Sequence, residues 1–446
     1  MKKISLIFII LVLSYLIFSA MFNSIKNLSI VKNISKENKT LIYKYIFPYK
    51  YINVLQYKLD TVHLNGEMAS IANSEYIRFE GPKKFEIFGQ NTNLQKLTNY
   101  GNLTAGTHND TPGTAYLDFN DSRLFLVSSR GLIAYFDNFE VGETLKFNII
   151  PNNVQTFIGE KQFSQNKWFS IKDVMISDGK IYISFTNELK PNCWNTSIIV
   201  SEINIKKLEF KDFFISDQCV KEKNKEKSFN ALQSGGRIIN FDKDNILFST
   251  GDYRQRFLSQ EDSSVFGKII SINKDTGKYK IISKGHRNPQ GLLFQKSNNI
   301  IINTEHGPKG GDEINLNNLP LNKTLNFGWP IASYGEHYKS EIEKNSKIYE
   351  KYPFKKSHSK FGFIEPLHYF VPSIGISEII HLKENKFIVS SLRSASIYTF
   401  ELNNNKIENL TQIYIGERIR DMIYNKNLGL LLMFLEDTAS IGVVKI

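Results

Sequence analysis

Two knots of polar and turn residues stand out, Gly285 to Gly291 (GHRNPQG) and Glu305 to Glu313 (EHGPKGGDE), with one short apolar run, Ile300 to Ile302, between them. Arg, Asn, His, Asp and Glu packed beside glycines mark backbone turns that aim charged groups at something, and such loops are where function usually sits. Arg393, Arg418 and Arg420 add to Arg287 at equivalent points further along. Guanidinium forks bind carboxylates bidentately and stay charged, so several converging on one cavity predict a planar ligand with several negative charges. Arg418 and Arg420 stand at i and i+2; on a strand both face the ligand or both face water. Gly307 and Pro308 offer backbone carbonyls, and Asp312 and Glu313 offer carboxylates, the oxygen ligands that Ca²⁺ prefers. Zinc is not expected, because the histidines lack ligand spacing and Cys193 and Cys219 are remote in sequence.

The elements that must position these groups repeat. Six segments share one plan, an alternating apolar run, a polar turn and a second apolar run: 116–129, 172–185, 237–250, 290–304, 377–391 and 420–434. Their turns (Asn-Asp-Ser, Ser-Asp-Gly, Asp-Lys-Asp-Asn and similar) have hairpin chemistry. A further strand follows each hairpin, for example 197–205, 267–273 and 396–402. Repeated units of three or four strands predict an all-β chain, a six-bladed β-propeller over residues 114–446. Substrates and cofactors then sit at one end of the central channel. The polar knots fall at equivalent points: 233–237, 285–288, 372–375 and 418–420 each lead into a hairpin. Residues 23–113 read as a linker followed by strands, including one at 84–88.

Formal net charge is +12, but the lysines are scattered over the 446 residues. A nucleic-acid reader concentrates its charge, so no nucleic-acid partner is expected; a general positive field favours an anionic small ligand. With 41% hydrophobic and 13% aromatic residues the chain can build a large core. Lys2 and Lys3 precede an apolar run over 4–22, the form of an export signal. Phe18-Ser19-Ala20 is a poor cleavage site and the run is long enough to span a bilayer, so residues 1–22 are expected to be an uncleaved inner-membrane anchor, with the remainder on the periplasmic side. In that oxidising compartment a Cys193–Cys219 bridge is expected.

GHRNPQG, EHGPKGGDEIN, NFGWP, EPLHYFVPSI (365–374), SSLR (390–393) and RIRD (418–421) resemble the pyrroloquinoline-quinone-dependent sugar dehydrogenases, of the glucose/sorbosone and soluble aldose type, over roughly residues 116–446. The resemblance implies a six-bladed propeller oxidising a sugar hydroxyl by hydride transfer to the quinone, assisted by Ca²⁺, with an external electron acceptor. Pyrroloquinoline quinone (PQQ) is a flat tricarboxylate, in keeping with the arginines. The resemblance implies cofactor contacts at Arg287, Asn288, His306, Ser373, Arg393, Arg418 and Arg420. It puts Ca²⁺ on the carbonyls of Gly307 and Pro308, and a second, structural Ca²⁺ at Asp312 and Glu313.

Two positions depart from the pattern. The family's base is a histidine four residues before Arg237; here Gln233 stands there, and neither it nor Leu232 accepts a proton at neutral pH. Arg393 stands where a lysine is usual. Three readings follow: a dehydrogenase with a relocated base, for which His306 or His286 is nearest; a non-catalytic cofactor- or sugar-binding propeller; or a Ca²⁺-dependent hydrolase. Clustering of the acids in one segment speaks against the third.

Overall fold

A computed structural model describes residues 76–98, 113–141, 145–158, 169–320, 322–339 and 347–446. These all lie in one compact unit, His63–Ile446. The apolar run 4–22 lies outside the described residues. Among the described residues no helix is long and apolar enough to cross a membrane.

Among the described residues six sheets follow one another along the chain, antiparallel except where Tyr279–Lys284 pairs in parallel with Leu325–Asn326. Each expected hairpin supplies the first two strands of a blade: Ala115–Asn120 with Arg123–Ser128, Ile171–Ser177 with Lys180–Lys190, Gly235–Asn240 with Asn245–Thr250, Pro289–Gln295 with Ile300–Glu305, Ile376–Lys383 with Lys386–Ser391, and Ile419–Asn425 with Leu430–Leu435. The turns work as their residues demand. Asp121, Asp178 and Asn299 take left-handed φ values of 55°, 53° and 55°, which Asn and Asp tolerate best among residues with a Cβ. Asp242 Oδ1 accepts from the backbone N–H groups of Asp244 and Asn245 at 2.9 and 2.8 Å.

The first strands of the blades neighbour one another in a closed ring, Ile419–Asn425 lying beside Ala115–Asn120. The sixth blade takes its outer strands from early in the chain: Gln90–Thr98 pairs with Ser440–Lys445, and Tyr76–Ile87 pairs with Gln90–Thr98. The strand expected at 84–88 is part of Tyr76–Ile87. This splice of early strand onto late strand closes the ring and covers an otherwise unpaired edge. Apolar faces pack between blades, as where Leu126 and Phe136 of the first meet Leu432 and Phe434 of the sixth.

In five blades the inner strand carries a register shift at its start, between Ile171 and Asp173, Gly235 and Ile238, Pro289 and Gly291, Ile376 and Ile379, and Ile419 and Asp421. A bulge inserts one residue and re-aims its side chain. By register, Lys172, Gly236, Gln290, Ser377 and Arg420 form one level at the channel mouth. Asp173, Arg237, Gly291, Glu378 and Asp421 form the next.

Candidate active site

The lower level is closed by one cation. Arg237 Nη1 donates to Asp173 Oδ1 at 2.6 Å and to Asp421 Oδ1 at 2.7 Å, its Nη2 pairs with Glu378, and its Nε donates to the Gln290 carbonyl at 3.0 Å. Its guanidinium lies 5.9 Å from the centre of the Tyr116 ring. Arg237 thus ties its own blade to the other five. Burial alone would lower its pKa; Asp173, Glu378 and Asp421 outweigh that and hold it above its ordinary value. Burial raises Glu378 to about 8 against the pull of Arg237.

Above this plug the sixth blade presents Arg418 and Arg420. Both are held through Nε by Glu436, at 3.0 and 2.8 Å. Thr114 Oγ1 donates to the same carboxylate at 2.7 Å. Burial would raise Glu436, but Arg420 and then Arg418 keep it below the usual carboxylate range. One buried acid therefore fixes two guanidinium groups side by side.

The fourth blade supplies Arg287, 7% exposed. Its Nη1 donates to the carbonyls of His306 and Gly307 at 2.9 and 2.7 Å, and its backbone N–H donates to Glu305 Oε2 at 2.7 Å. With its amide oriented to satisfy its neighbours, Gln233 accepts at Oε1 from Arg287 Nη2 and Arg254 Nε, both at 3.0 Å, and donates from Nε2 to Asp252 Oδ1 at 3.1 Å. The residue at the expected base position is thus a bridge between two arginines and an acid. Asp252 also accepts from Trp329 Nε1 at 2.7 Å and from Arg254 N at 2.7 Å. Gly251 makes room for this turn, since a Cβ there would lie 2.1 Å from the Gln233 carbonyl oxygen.

His306 differs from the other histidine nearby. Its Nε2 is shielded from solvent and has no hydrogen-bond partner. Burial, Arg287 and Arg420 hold its pKa below the usual histidine value, against Asp312, so the ring is neutral near pH 7. His286 is fully buried with both nitrogens engaged, by Ser283 Oγ at 2.8 Å and Glu305 Oε1 at 2.9 Å. It cannot act as a base without breaking that network.

The remaining expected residues serve the frame. Asn288 Oδ1 accepts from Gly235 N at 3.1 Å, tying the third blade to the fourth. Ser373 Oγ donates to Asp312 Oδ1 at 2.8 Å. That carboxylate also accepts from the N–H groups of Gly307, Gly375 and Ile376 at 3.0, 2.7 and 3.1 Å. Four donors leave Asp312 no lone pair to offer a cation. Glu313, next along the strand, turns to a different neighbourhood, 3.5 Å from His358 Nε2 and 3.4 Å from Asn315 Nδ2. Burial and then Glu305 push it well above its usual range. The two acids do not share one site, and no group of three or more His, Cys, Asp or Glu among the described residues is arranged to hold a metal. Pro308 packs against Gly335, and Arg393 is exposed. Sequence reasoning missed Glu436, Asp252 and Arg254. The left-handed Tyr253 and Arg254, φ 50° and 66°, are the strained backbone that functional turns often carry, a signal absent from composition.

Fold and site define a six-bladed propeller whose channel mouth gathers cations around a small polar cavity. The chain belongs to the glucose/sorbosone dehydrogenase family, whose model matches residues 171–443. Aldose sugar dehydrogenase YliI of Escherichia coli (strain K12) is 28% identical over 210 residues, 42% of this chain and 53% of that protein. Quinoprotein glucose dehydrogenase B of Acinetobacter calcoaceticus is 34% identical over 93 residues, 18% of each chain. The chain spans about half the length of the first of these relatives. Among solved structures, the PQQ-bound aldose sugar dehydrogenase of Streptomyces coelicolor superposes with a TM-score of 0.55 at 18% identity, covering 77% of this chain and 97% of that one. The apo-form aldose sugar dehydrogenase of Escherichia coli gives 0.56 at 20%, covering 75% and 96%. At these identities the likeness speaks for the fold.

Proposed function

We propose that this chain is a sugar dehydrogenase that binds PQQ at the channel mouth and oxidises an aldose hydroxyl, with His306 in place of the usual base. The observation that carries the reading is the pair Arg418 and Arg420, both clamped by Glu436 and so preorganised for carboxylates. The residues present fit a flat tricarboxylate: Arg418 and Arg420 would hold carboxylates and Arg287 would approach from the fourth blade. When bound, PQQ supplies the two-electron acceptor. His306 Nε2, on a neutral ring and without a hydrogen-bond partner, takes the proton of the sugar hydroxyl. Export to an oxidising compartment is supported by the bond between Cys193 and Cys219.

Calcium fits less well. The Gly307 carbonyl already accepts from Arg287, and the Asp312 carboxylate already accepts four hydrogen bonds. The non-catalytic reading is favoured by one observation, the locked amide of Gln233. Titrating the protein with PQQ, with Ca²⁺ or with EDTA, and then following dye reduction with aldoses decides. Tight binding with turnover is expected. Tight binding without turnover would leave a cofactor-binding propeller, and binding lost in EDTA would restore the metal.

A further inference from the structure

At the channel mouth Lys172, Arg420, Gln290, Ser234, Tyr116 and Arg237 line a small polar pit of about 40 Å³. That is room for a few waters or for a small polar group such as one carboxylate. Lys172 and Arg420 hold the same bulge position in the second and sixth blades, on either side of Tyr116 of the first. Gly236, φ +126°, holds that position in the third, where a Cβ would lie 2.3 Å from Lys172 Cβ. Only a glycine there leaves the lysine its place.

Resting on the anionic-cofactor reading, we propose that Lys172 and Arg420 together receive one carboxylate of the ligand in this pit, the ring lying above it. Nothing in the sequence marked Lys172, which sits one residue from the start of an inner strand. Of the other charges facing the pit, Arg237 is tied to Asp173, Glu378 and Asp421, and Arg420 is held through its Nε by Glu436. Arg420 keeps its terminal nitrogens for the ligand. Burial and then Arg420 lower Lys172 to about 7, and Tyr116 is held protonated by burial. A carboxylate entering beside the amine reverses the balance, and the amine takes a proton from solvent. Binding and protonation of Lys172 are therefore linked.

The test is calorimetric titration of PQQ into the full chain at pH 8, in two buffers of different ionisation enthalpy. Wild type should take up close to one proton per ligand. Lys172→Met should bind at least about tenfold more weakly, the loss of one charge-assisted hydrogen bond, and take up none. Lys172→Arg should bind tightly without uptake. Equal affinity and equal uptake in Lys172→Met would overturn the proposal. A second probe separates the pit from the cofactor reading. If PQQ does not bind the folded protein but isophthalate raises the melting temperature of wild type and not of Lys172→Met, the pit stands and PQQ falls. If neither ligand binds, both fall.

Discussion

Gln233 shows how a single residue can keep a site's shape and remove its proton acceptor. Its amide satisfies Asp252, Arg254 and Arg287 at once, so the geometry survives. An imidazole there would find Asp252 ready to orient it. Gln233→His should therefore raise aldose-dependent dye reduction; general-base assistance is worth about two to four orders of magnitude, less whatever His306 already supplies. No gain in a variant that still binds PQQ would mean that another part of the site is lost. The complementary change separates the two histidine roles. His306→Asn should lower kcat by at least about a hundredfold while leaving PQQ affinity within a few-fold. An unchanged kcat would remove His306 as the base. Arg287, Arg418 and Arg420 were legible in sequence because their neighbours form contiguous motifs. Glu436 and Asp252 were not, because each acts across a turn from a strand end that composition does not distinguish.

At the scale of elements, hairpin turns and apolar alternation made all six blades visible. The bulges were invisible for a physical reason: an inserted residue breaks the alternation by which strands are recognised. Yet the bulges carry Lys172, Gln290 and Arg420 to the mouth. The early hairpin was half legible, because its role depends on pairing with a strand more than three hundred residues later. One expectation of this scale is covalent. Cys193 opens the strand Cys193–Glu202 and is bonded to Cys219, a separation of 26 residues. Closing a loop of that length in the unfolded chain is worth roughly 3 to 4 kcal/mol at most on chain-entropy arguments. Non-reduced protein, unfolded in guanidinium, should show no free thiols. A Cys193→Ser, Cys219→Ser double variant should melt several degrees lower. A count of two thiols in exported protein would remove the bridge.

For the whole molecule the informative group is Arg237, because a propeller has no layer of core at its axis and must close its channel with something. Here one guanidinium pairs with acids from three blades and reaches the other two through a carbonyl and a ring. Removing one partner of a buried ion network typically costs about 3 to 5 kcal/mol, since the remaining charges stay buried and unpaired. Arg237→Met keeps the bulk and deletes the charge, leaving Asp173, Glu378 and Asp421 facing one another. Burial already raises Glu378 to about 8 and Asp173 above its usual range, and loss of Arg237 raises both further. The folded variant then binds more protons than the unfolded chain across the whole interval from the ordinary carboxylate pKa upward, so its stability falls as pH rises. Below the ordinary carboxylate range both states are protonated and the difference vanishes. Wild type itself holds the Glu378 proton up to about pH 8, so the melting temperature of Arg237→Met should lie below that of wild type by a nearly constant amount from about pH 5 to 7. The gap should widen as pH rises through about 8, where Glu378 ionises in wild type and stays protonated in the variant. A gap independent of pH would mean that the cost is one of packing, and that the blades are held together by their apolar faces rather than by the charge at their centre.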